Sequence, residues 1–530
     1  MMKLLMHYDA DFIAPYDATC VARLREQGAS FTGKTNMDEF GMGSASYFSQ
    51  YGPCKNPFSP ANQTDDDTAG TNGEWYVPGG SSGGSAVAVA TGSCYAALGS
   101  DTGGSVRQPA AFCGVVGFKP TYGAISRWGL IAYASSFDCP GIFTRSVADA
   151  ALLFDIVAGK DGLDYMCQYE GYSLPKMESI LAAPHTGGTK GQVCPPFEFD
   201  DEKLYSGKMW SFHPALFNPN YANSDSVILE RMELHSAQND SVGEGKDWGI
   251  RSPEEFHWPP AISLEGLRVG IPREFNVEEL SESTRNTWLQ GMTWLRECGA
   301  SIYEVSLPHV PVALSAYYIL ASAEAASNLS RYDGLRYGYN HTSTQSNMSE
   351  ASFDTLSSIS EEAMDELENL DESSLSTGYR DFYRSTRTAG FGQEVQRRIM
   401  VGNYVLSENA RGEYFDAANE IRSRLKNDFS SCFSEAGVHV LLAPTTPTAP
   451  WTLQDTPNID PVSMYANDVM TVPINLAGLP AMSIPVDLAT ELPCGLQIIG
   501  RPHGEPVMAW VAAALERQAK FSMRSKNYIS

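Results

Sequence analysis

Two glycine–serine clusters, set close together, hold the residues best suited to chemistry in this 530-residue chain. The first reads Pro78-Gly-Gly-Ser-Ser-Gly-Gly-Ser-Ala86, the second Gly99-Ser-Asp-Thr-Gly-Gly-Ser-Val-Arg-Gln-Pro109. Glycine lets backbone approach a ligand closely and reach φ > 0, so successive N–H groups converge on one spot. Serine hydroxyls beside such a turn can serve as nucleophile and proton relay, which together are the parts of acyl transfer. A flexible linker would carry polar, low-complexity flanks. These clusters are instead bordered by Ser85-Ala-Val-Ala-Val-Ala90 and Val115-Val-Gly-Phe118. Gly28-Ala-Ser-Phe-Thr-Gly-Lys-Thr35 fits the spelling of a phosphate loop. That loop needs a strand before it and a helix after it; here a helix-like segment precedes, and Ala29 to Thr32 itself reads as a strand.

The base that would activate a serine is not obvious. No histidine lies between His7 and His185, so a Ser-His-Asp set would have to be assembled from distant segments. Gly79-Gly-Ser-Ser-Gly83 matches G-x-S-x-G, a pattern short enough to arise in any Gly/Ser cluster. A desolvated lysine, neutral near pH 7, is the natural alternative.

The two clusters, followed by Cys113-Gly-Val-Val-Gly-Phe-Lys-Pro-Thr121, resemble the amidase signature family. Within it the similarity is greatest to the A-type subunits of glutamyl-tRNA(Gln) amidotransferases, in their fungal mitochondrial form. It extends through Gly33-Lys-Thr-Asn-Met-Asp-Glu-Phe40, Ser322-Ala-Glu-Ala-Ala-Ser-Asn-Leu-Ser-Arg-Tyr-Asp-Gly334, Arg397-Arg-Ile-Met-Val-Gly402, Met464-Tyr-Ala-Asn-Asp468 and Asn475-Leu-Ala-Gly-Leu-Pro-Ala481. The lysine of the phosphate-loop look-alike belongs to the first of these. The resemblance implies Ser105 as nucleophile and Ser81, 24 residues upstream, as the bridging serine on a cis peptide. It also implies that backbone N–H groups at Thr102, Gly103 and Gly104 receive the oxyanion. Ser82 and Ser85 are then structural, meeting turn and helix-start groups.

For a glutamine substrate the resemblance sets Arg398 at the α-carboxylate and Asp468 at the α-amino group. A guanidinium fork suits a carboxylate, and an acid suits an ammonium. Arg397 shows how easily an arginine here is a surface charge, whereas Asp468 is the only charge between Met464 and Val472. Core packing is the preferred reading for both Tyr317 and Tyr318, with Tyr317 as the alternative candidate for the pocket.

The family's lysine base sits on an early strand reading Ile-Ala-Val-Lys-Asp-Asn, and this sequence has no such segment. Lys3 lacks its flanks, and Lys34 and Lys119 belong to other motifs. The expectation is an N-terminally truncated chain, inactive and poorly soluble alone; a non-catalytic scaffold is the alternative. Retention of Ser81, Ser105, Arg398 and Asp468 favours truncation.

The elements that must position these residues alternate between helix and strand. Val21 to Gln27 reads as helix, Ala29 to Thr32 as strand, and Val87 to Leu98 as a small apolar helical stretch. Val147 to Ala158 follows as helix, Leu267 to Pro272 as strand and Ser283 to Cys298 as helix. Gln393 to Leu425 is expected to be helical, Val438 to Ala443 a buried strand, and Pro444 to Pro450 a rigid turn. Gly495 to Gly500 closes the core as a strand and Val507 to Gln518 as a helix. The pattern predicts an α/β fold, a single amidase domain with a parallel or mixed central sheet covered by helices. Residues 61–74 read as an exposed insertion and 171–260 as a loop-rich one. Residues 335–385 are an acidic insertion, read as a solvated helix or mobile segment.

Composition sets further bounds. A hydrophobic content of 43% supports a substantial core, and no apolar run is long enough to span a bilayer. The ten cysteines show no C-x-x-C or metal-ligand spacing, as in a reducing compartment, and no metal site is expected. A net charge of −26 argues against this chain gripping tRNA itself, since phosphate contacts need basic patches. The resemblance accordingly implies a heterotrimer: a B-type subunit that binds tRNA and uses ATP and Mg²⁺, a small accessory subunit, and no cofactor in this chain. It also implies a mitochondrial address, although no Arg/Ser-rich presequence is visible. A stand-alone amidase for another small amide is the competing enzyme reading, which would make no use of Arg398 and Asp468.

Overall fold

The computed structural model describes residues 14–59, 75–167, 262–336, 338–340, 372–487 and 492–521. Its centre is one eight-stranded sheet. In chain order the strands are β1 (Ala96–Asp101), β2 (Val116–Lys119), β3 (Cys139–Thr144), β4 (Arg268–Pro272), β5 (Ser301–Val305), β6 (Val440–Pro444), β7 (Ala481–Asp487) and β8 (Pro493–Gly500). They lie in the order β1-β3-β2-β7-β8-β6-β4-β5. Pairing from β1 through to β6 is antiparallel, and only β6–β4 and β4–β5 are parallel. The sheet is therefore mixed, with its antiparallel part on the side of the two glycine–serine clusters. Strands β2, β3, β6 and β8 are buried along their whole length, as strands covered on both faces must be.

Twelve α-helices surround it among the described residues. They are α1 (Thr19–Glu26), α2 (Gly83–Ala90), α3 (Arg107–Phe112), α4 (Val147–Val157), α5 (Glu282–Glu297), α6 (Ala313–Asn328), α7 (Glu372–Gly390), α8 (Gln393–Val405), α9 (Ala417–Ser434), α10 (Pro461–Ala466), α11 (Val472–Ala477) and α12 (Glu505–Ala519). Local sequence explains several starts. Ser146 accepts from the N–H of Asp149 at the head of α4, and Ser281 does the same for Thr284 at the head of α5, each satisfying an orphan donor of the first turn. The alanine-rich α6 packs against α8, the helix that carries Arg398.

Three expectations change. Ala29 to Thr32 is exposed and joins no ladder; no described strand lies beside it, and an extended segment without a partner forms no sheet. The stretch from Val87 divides: helix α2 ends at Ala90, a turn follows, and Ala96 to Leu98 enter β1. The expected helix from Gln393 to Leu425 breaks after Val405 and resumes through a π-helical turn at Gly412–Asp416. Ser407, Glu408 and Asn409 between them are exposed and offer no apolar face to bury. The remaining helices and strands lie where the sequence pattern sets them, within a few residues at each end. The expected insertion at 61–74 falls outside the described residues, as does 171–260 and 341–371 of the acidic one. No described helix is long and apolar enough to cross a membrane.

Candidate active site

The two glycine–serine clusters meet at the free edge of β1. Ser81 ends the loop entering α2, and Ser105 closes the turn between β1 and α3. The loops are joined where the N–H of Ser82 donates to the carbonyl of Ser105 at 3.3 Å. The Gly80–Ser81 peptide is cis. Its surroundings fix it from three sides. The Gly80 N–H donates to Gln108 Oε1 at 2.9 Å, and Asp38 N–H and Ser46 Oγ both donate to the Ser81 carbonyl, at 3.1 and 3.0 Å. Ser46 Oγ also accepts from Gly83 N–H at 2.9 Å. Behind this loop the buried Asp38 carboxylate accepts from the N–H groups of Ser46 and Phe48. Burial pushes Asp38 up to about 7, against those backbone hydrogen bonds. Glycine is required at position 80, because a Cβ there would lie 2.4 Å from Asp38 Oδ2.

Ser105 is partly exposed, whereas Ser81 is fully buried. Ser81 Oγ has no hydrogen-bond partner among the described residues. Lys119, also buried, donates to the carbonyl of Pro120 at 2.8 Å and Lys34 sits on exposed backbone, so neither serves as a base for Ser81 here. Ser82 and Ser85 are structural, but by a different device from the expected capping. Ser82 Oγ accepts from Ser100 N–H at 3.2 Å, and Ser85 Oγ donates to the Leu98 carbonyl at 2.9 Å. They thereby satisfy backbone groups on the open edge of β1, which an edge strand otherwise exposes.

The turn Thr102-Gly-Gly-Ser105 is anchored on both sides. Thr102 Oγ1 donates to Asp138 Oδ1 at 2.7 Å, and Thr471 Oγ1 donates to the Gly103 carbonyl at 2.6 Å. No hydrogen bond joins the N–H groups of Gly103, Gly104 or Ser105 to another described residue, leaving these donors available to an oxyanion. Beneath the turn, Asp101 and Arg107 form a fully buried ion pair at 3.0 Å. Burial pushes the Asp101 carboxyl up, but the charge and hydrogen bonds of Arg107 outweigh it and hold it below its ordinary value.

Facing the turn are Arg398 on α8 and Asp468 just past α10. Both are nearly inaccessible, at 4% and 7% exposure, whereas the neighbouring Arg397 side chain is 40% exposed and pairs with Glu394 on the surface side. Arg398 Nε donates to Glu394 Oε1 at 2.8 Å and Nη1 to Tyr133 OH at 2.5 Å. Its guanidinium carbon lies 5.6, 5.2 and 5.5 Å from the ring centres of Tyr133, Tyr318 and Tyr465. Burial works against its charge, but Tyr133 and Glu394 hold it protonated. Asp468 Oδ2 accepts from Ser44 Oγ at 2.8 Å and Tyr318 OH at 2.9 Å. Burial pushes this carboxyl up to about 6, despite those two hydrogen bonds and the charge of Arg398.

Tyr318 is the hinge of the arrangement: its hydroxyl meets Asp468 while its ring lies beside Arg398 and stacks on Tyr465 at 4.0 Å. Tyr317, the sequence candidate for the pocket, is buried against Phe137 and the Gly103 turn. Core packing, the preferred reading for either ring, therefore holds for Tyr317, and it is Tyr318 that meets Asp468. Sequence reasoning missed Ser44, Tyr133, Glu394, Tyr465 and Thr471. Glu394 was legible as the residue one helical turn before Arg398, and Tyr465 as part of the Met464–Asp468 segment. Ser44 comes to Asp468 across 424 residues, a separation that leaves no local signal.

The Amidase family profile matches residues 6–179 and 225–508. The A-type subunit of the Cereibacter sphaeroides glutamyl-tRNA(Gln) amidotransferase is 38% identical over 518 residues, covering 98% of this chain and 80% of that protein. Its counterpart in Salinibacter ruber is 38% identical over 521 residues, covering 96% and 82%. Among solved structures, the A-type subunit of the Thermotoga maritima enzyme is similar with a TM-score of 0.60 at 29% identity, covering 96% of this chain and 77% of that one. A 6-aminohexanoate cyclic dimer hydrolase shares the fold, with a TM-score of 0.59 at 20% identity over 96% and 79% of the two chains.

Proposed function

From the premise that the chain belongs to the amidase family, we propose that it is the glutamine-hydrolysing A-type subunit of a glutamyl-tRNA(Gln) amidotransferase, in the mitochondrial form. The observation that carries the reading is the pair of buried, opposite charges, Arg398 and Asp468, spanned by the single side chain of Tyr318. An amide without α-substituents would leave Arg398 Nη2 and Asp468 Oδ1, neither bonded to a described residue, without a partner in a buried site, which is costly. Free glutamine answers both, its carboxylate at Arg398 and its ammonium at Asp468.

Ser105 Oγ attacks the side-chain amide carbon, and its proton passes toward Ser81. The tetrahedral oxyanion forms against the N–H groups of the Thr102–Gly104 turn. Collapse breaks the C–N bond, the nitrogen takes a proton and leaves as ammonia, and water then hydrolyses the γ-glutamyl ester of Ser105 to glutamate. The ammonia is passed to glutamyl-tRNA(Gln) held by a B-type partner, with ATP and Mg²⁺ used there and a small accessory subunit completing the complex. This chain's own chemistry needs no cofactor.

Glutamine hydrolysis by the full chain, purified with its accompanying subunits, tests the reading. Ser105→Ala is expected to lower glutamate release by at least about a thousandfold, as loss of a nucleophile does, while ammonia-dependent formation of glutaminyl-tRNA survives. One observation favours a non-catalytic scaffold instead: Ser81 Oγ is bonded to no base among the described residues. Full glutamine-dependent activity of Ser105→Ala would establish that alternative and overturn the glutaminase.

A further inference from the structure

Thr471 stands at a junction that the serine chemistry above does not use. It is fully buried. Its hydroxyl donates to the Gly103 carbonyl at 2.6 Å and lies 3.2 Å from the Asp468 carbonyl. Its N–H donates to the same Asp468 carbonyl at 3.0 Å. Its own carbonyl accepts from Nη1 and Nη2 of Arg107, at 3.2 and 3.3 Å. One residue thus touches the backbone of the ammonium-binding acid, the carbonyl of the oxyanion turn, and the buried arginine under that turn.

A trans peptide is planar, with its C=O and N–H pointing in opposite directions. Holding the Gly103 oxygen therefore aims the Gly104 N–H, which makes no hydrogen bond to a described residue. Contact is close enough to demand glycine at position 104: φ there is +137°, and a Cβ would lie 2.2 Å from Thr471 Oγ1. Rotation of that peptide would break the 2.6 Å bond and leave the Gly103 carbonyl buried without a partner, which is disfavoured.

We propose that Thr471 is a positioning residue: its hydroxyl sets the Gly103–Gly104 peptide as an oxyanion donor and ties that setting to Asp468. The inference rests on the glutaminase reading for the identity of the substrate, but not for the geometry of the turn. A second strut reaches the same turn from the other charge. Arg398 donates to Tyr133 OH, the Tyr133 N–H donates to Asp138 at 2.8 Å, and Asp138 accepts from Thr102 Oγ1 at 2.7 Å. Both α-substituents of a bound amino acid would then bear on the turn that stabilises its transition state. Binding energy from groups remote from the scissile bond is thereby expressed in kcat as well as in KM.

Thr471→Val, which keeps shape and removes the hydroxyl, and Thr471→Ser, which keeps the hydroxyl and loses a methyl, separate positioning from packing. The full chain with its accompanying subunits is assayed on glutamine, with thermal unfolding as the folding control. Phosphonylation of Ser105, in which Oγ bonds to phosphorus and fluoride leaves, is followed in parallel with a small alkyl fluorophosphonate, whose P=O occupies the oxyanion position. Loss of one oxyanion donor lowers kcat by about 10²–10³-fold, and misaiming one is expected to give about 10–100-fold with KM within about threefold. The valine variant is expected to lose kcat and label slowly, while serine restores both. The opposite order, valine active and serine impaired, would mean packing alone and overturn the inference. So would equal labelling of Thr471→Val and the parent chain. A parent chain that labels but does not hydrolyse glutamine overturns the proposed substrate, and the labelling ratio still decides the inference; one that does not label overturns both.

Discussion

Two buried arginines, Arg107 and Arg398, show how one chain uses the same charge for opposite ends. Arg107 is saturated. Its fork meets both oxygens of Asp101, the Thr471 carbonyl, Gln497 Oε1 and Asn475 Oδ1. Arg398 is held by only two hydrogen bonds, from Nε and Nη1, and its Nη2 meets no described acceptor. Asp468 stands to Asp101 in the same relation: Oδ2 is doubly bonded, and Oδ1 accepts from no described residue. Saturated charge fixes backbone, and charge with unused capacity, walled by tyrosine rings, is fitted to bind something. The difference lies in what is left over, since both arginines are almost wholly buried.

That contrast breaks most severely at the frame. Arg107→Met would strand Asp101 beneath the catalytic turn without its partner. Removing one member of a buried ion pair costs about 3–5 kcal/mol, so the variant is expected to unfold about three to five degrees lower or to be lost to aggregation. Differential scanning calorimetry of the purified complex decides it; an unchanged midpoint would mean that Arg107 holds no structure.

At the substrate end the same kind of change should spare the fold and harm the chemistry. Arg398→Lys keeps a positive charge but loses the planar fork. Asp468→Asn keeps shape but loses charge. Each removes a charge-assisted contact worth about 1.5–3 kcal/mol, equivalent to roughly 10–150-fold in kcat/KM for glutamine. Steady-state kinetics beside a melting curve checks both halves. Collapse of either variant would place Arg398 and Asp468 with the frame and erase the distinction.

How much of this was legible in the sequence follows the same division. Ser81, Ser105 and the glycine turn stand out because serine hydroxyls and glycine N–H groups lie on short contiguous segments, while the separate roles proposed for them came from the family resemblance. The hydrophobic pattern likewise placed β4, β6 and β8, since a buried strand leaves an apolar run. Ala29 to Thr32 failed because pattern reports only what a segment could do, and a ladder needs a partner. That Tyr318 and not Tyr317 meets Asp468 was hidden for a related reason. Adjacent helical residues point about 100° apart, and only the packing of α6 on α8 decides which ring meets Asp468. Ser44 and Thr471 act through distance in sequence and nearness in space, which no local reading resolves.

A finer discrimination between frame and site comes from protons. Asp101 is held below its ordinary range by Arg107, so it stays ionised throughout the working pH range. Asp468 is pushed up to about 6 by burial, with Ser44, Tyr318 and Arg398 pulling the other way and Asp101 adding a small push upward. Above that value it is a carboxylate, and on the proposed reading attracts the glutamine ammonium; below it the group is a neutral acid and would do so weakly. The ionised fraction of such a group falls about tenfold between pH 7 and pH 5, so KM for glutamine is expected to rise by about tenfold over that interval. Asp38, pushed up to about 7 by burial behind the Ser81 loop, is placed to act on kcat instead, because it borders the proposed relay at Ser81 and not the proposed ammonium site at Asp468. Asp468→Asn should therefore show a high KM that no longer changes with pH, while any pH dependence of kcat persists. A parent KM that is flat from pH 5 to 7 would remove Asp468 from ammonium binding; one that titrates and goes flat in the asparagine variant assigns the proton to this single carboxyl.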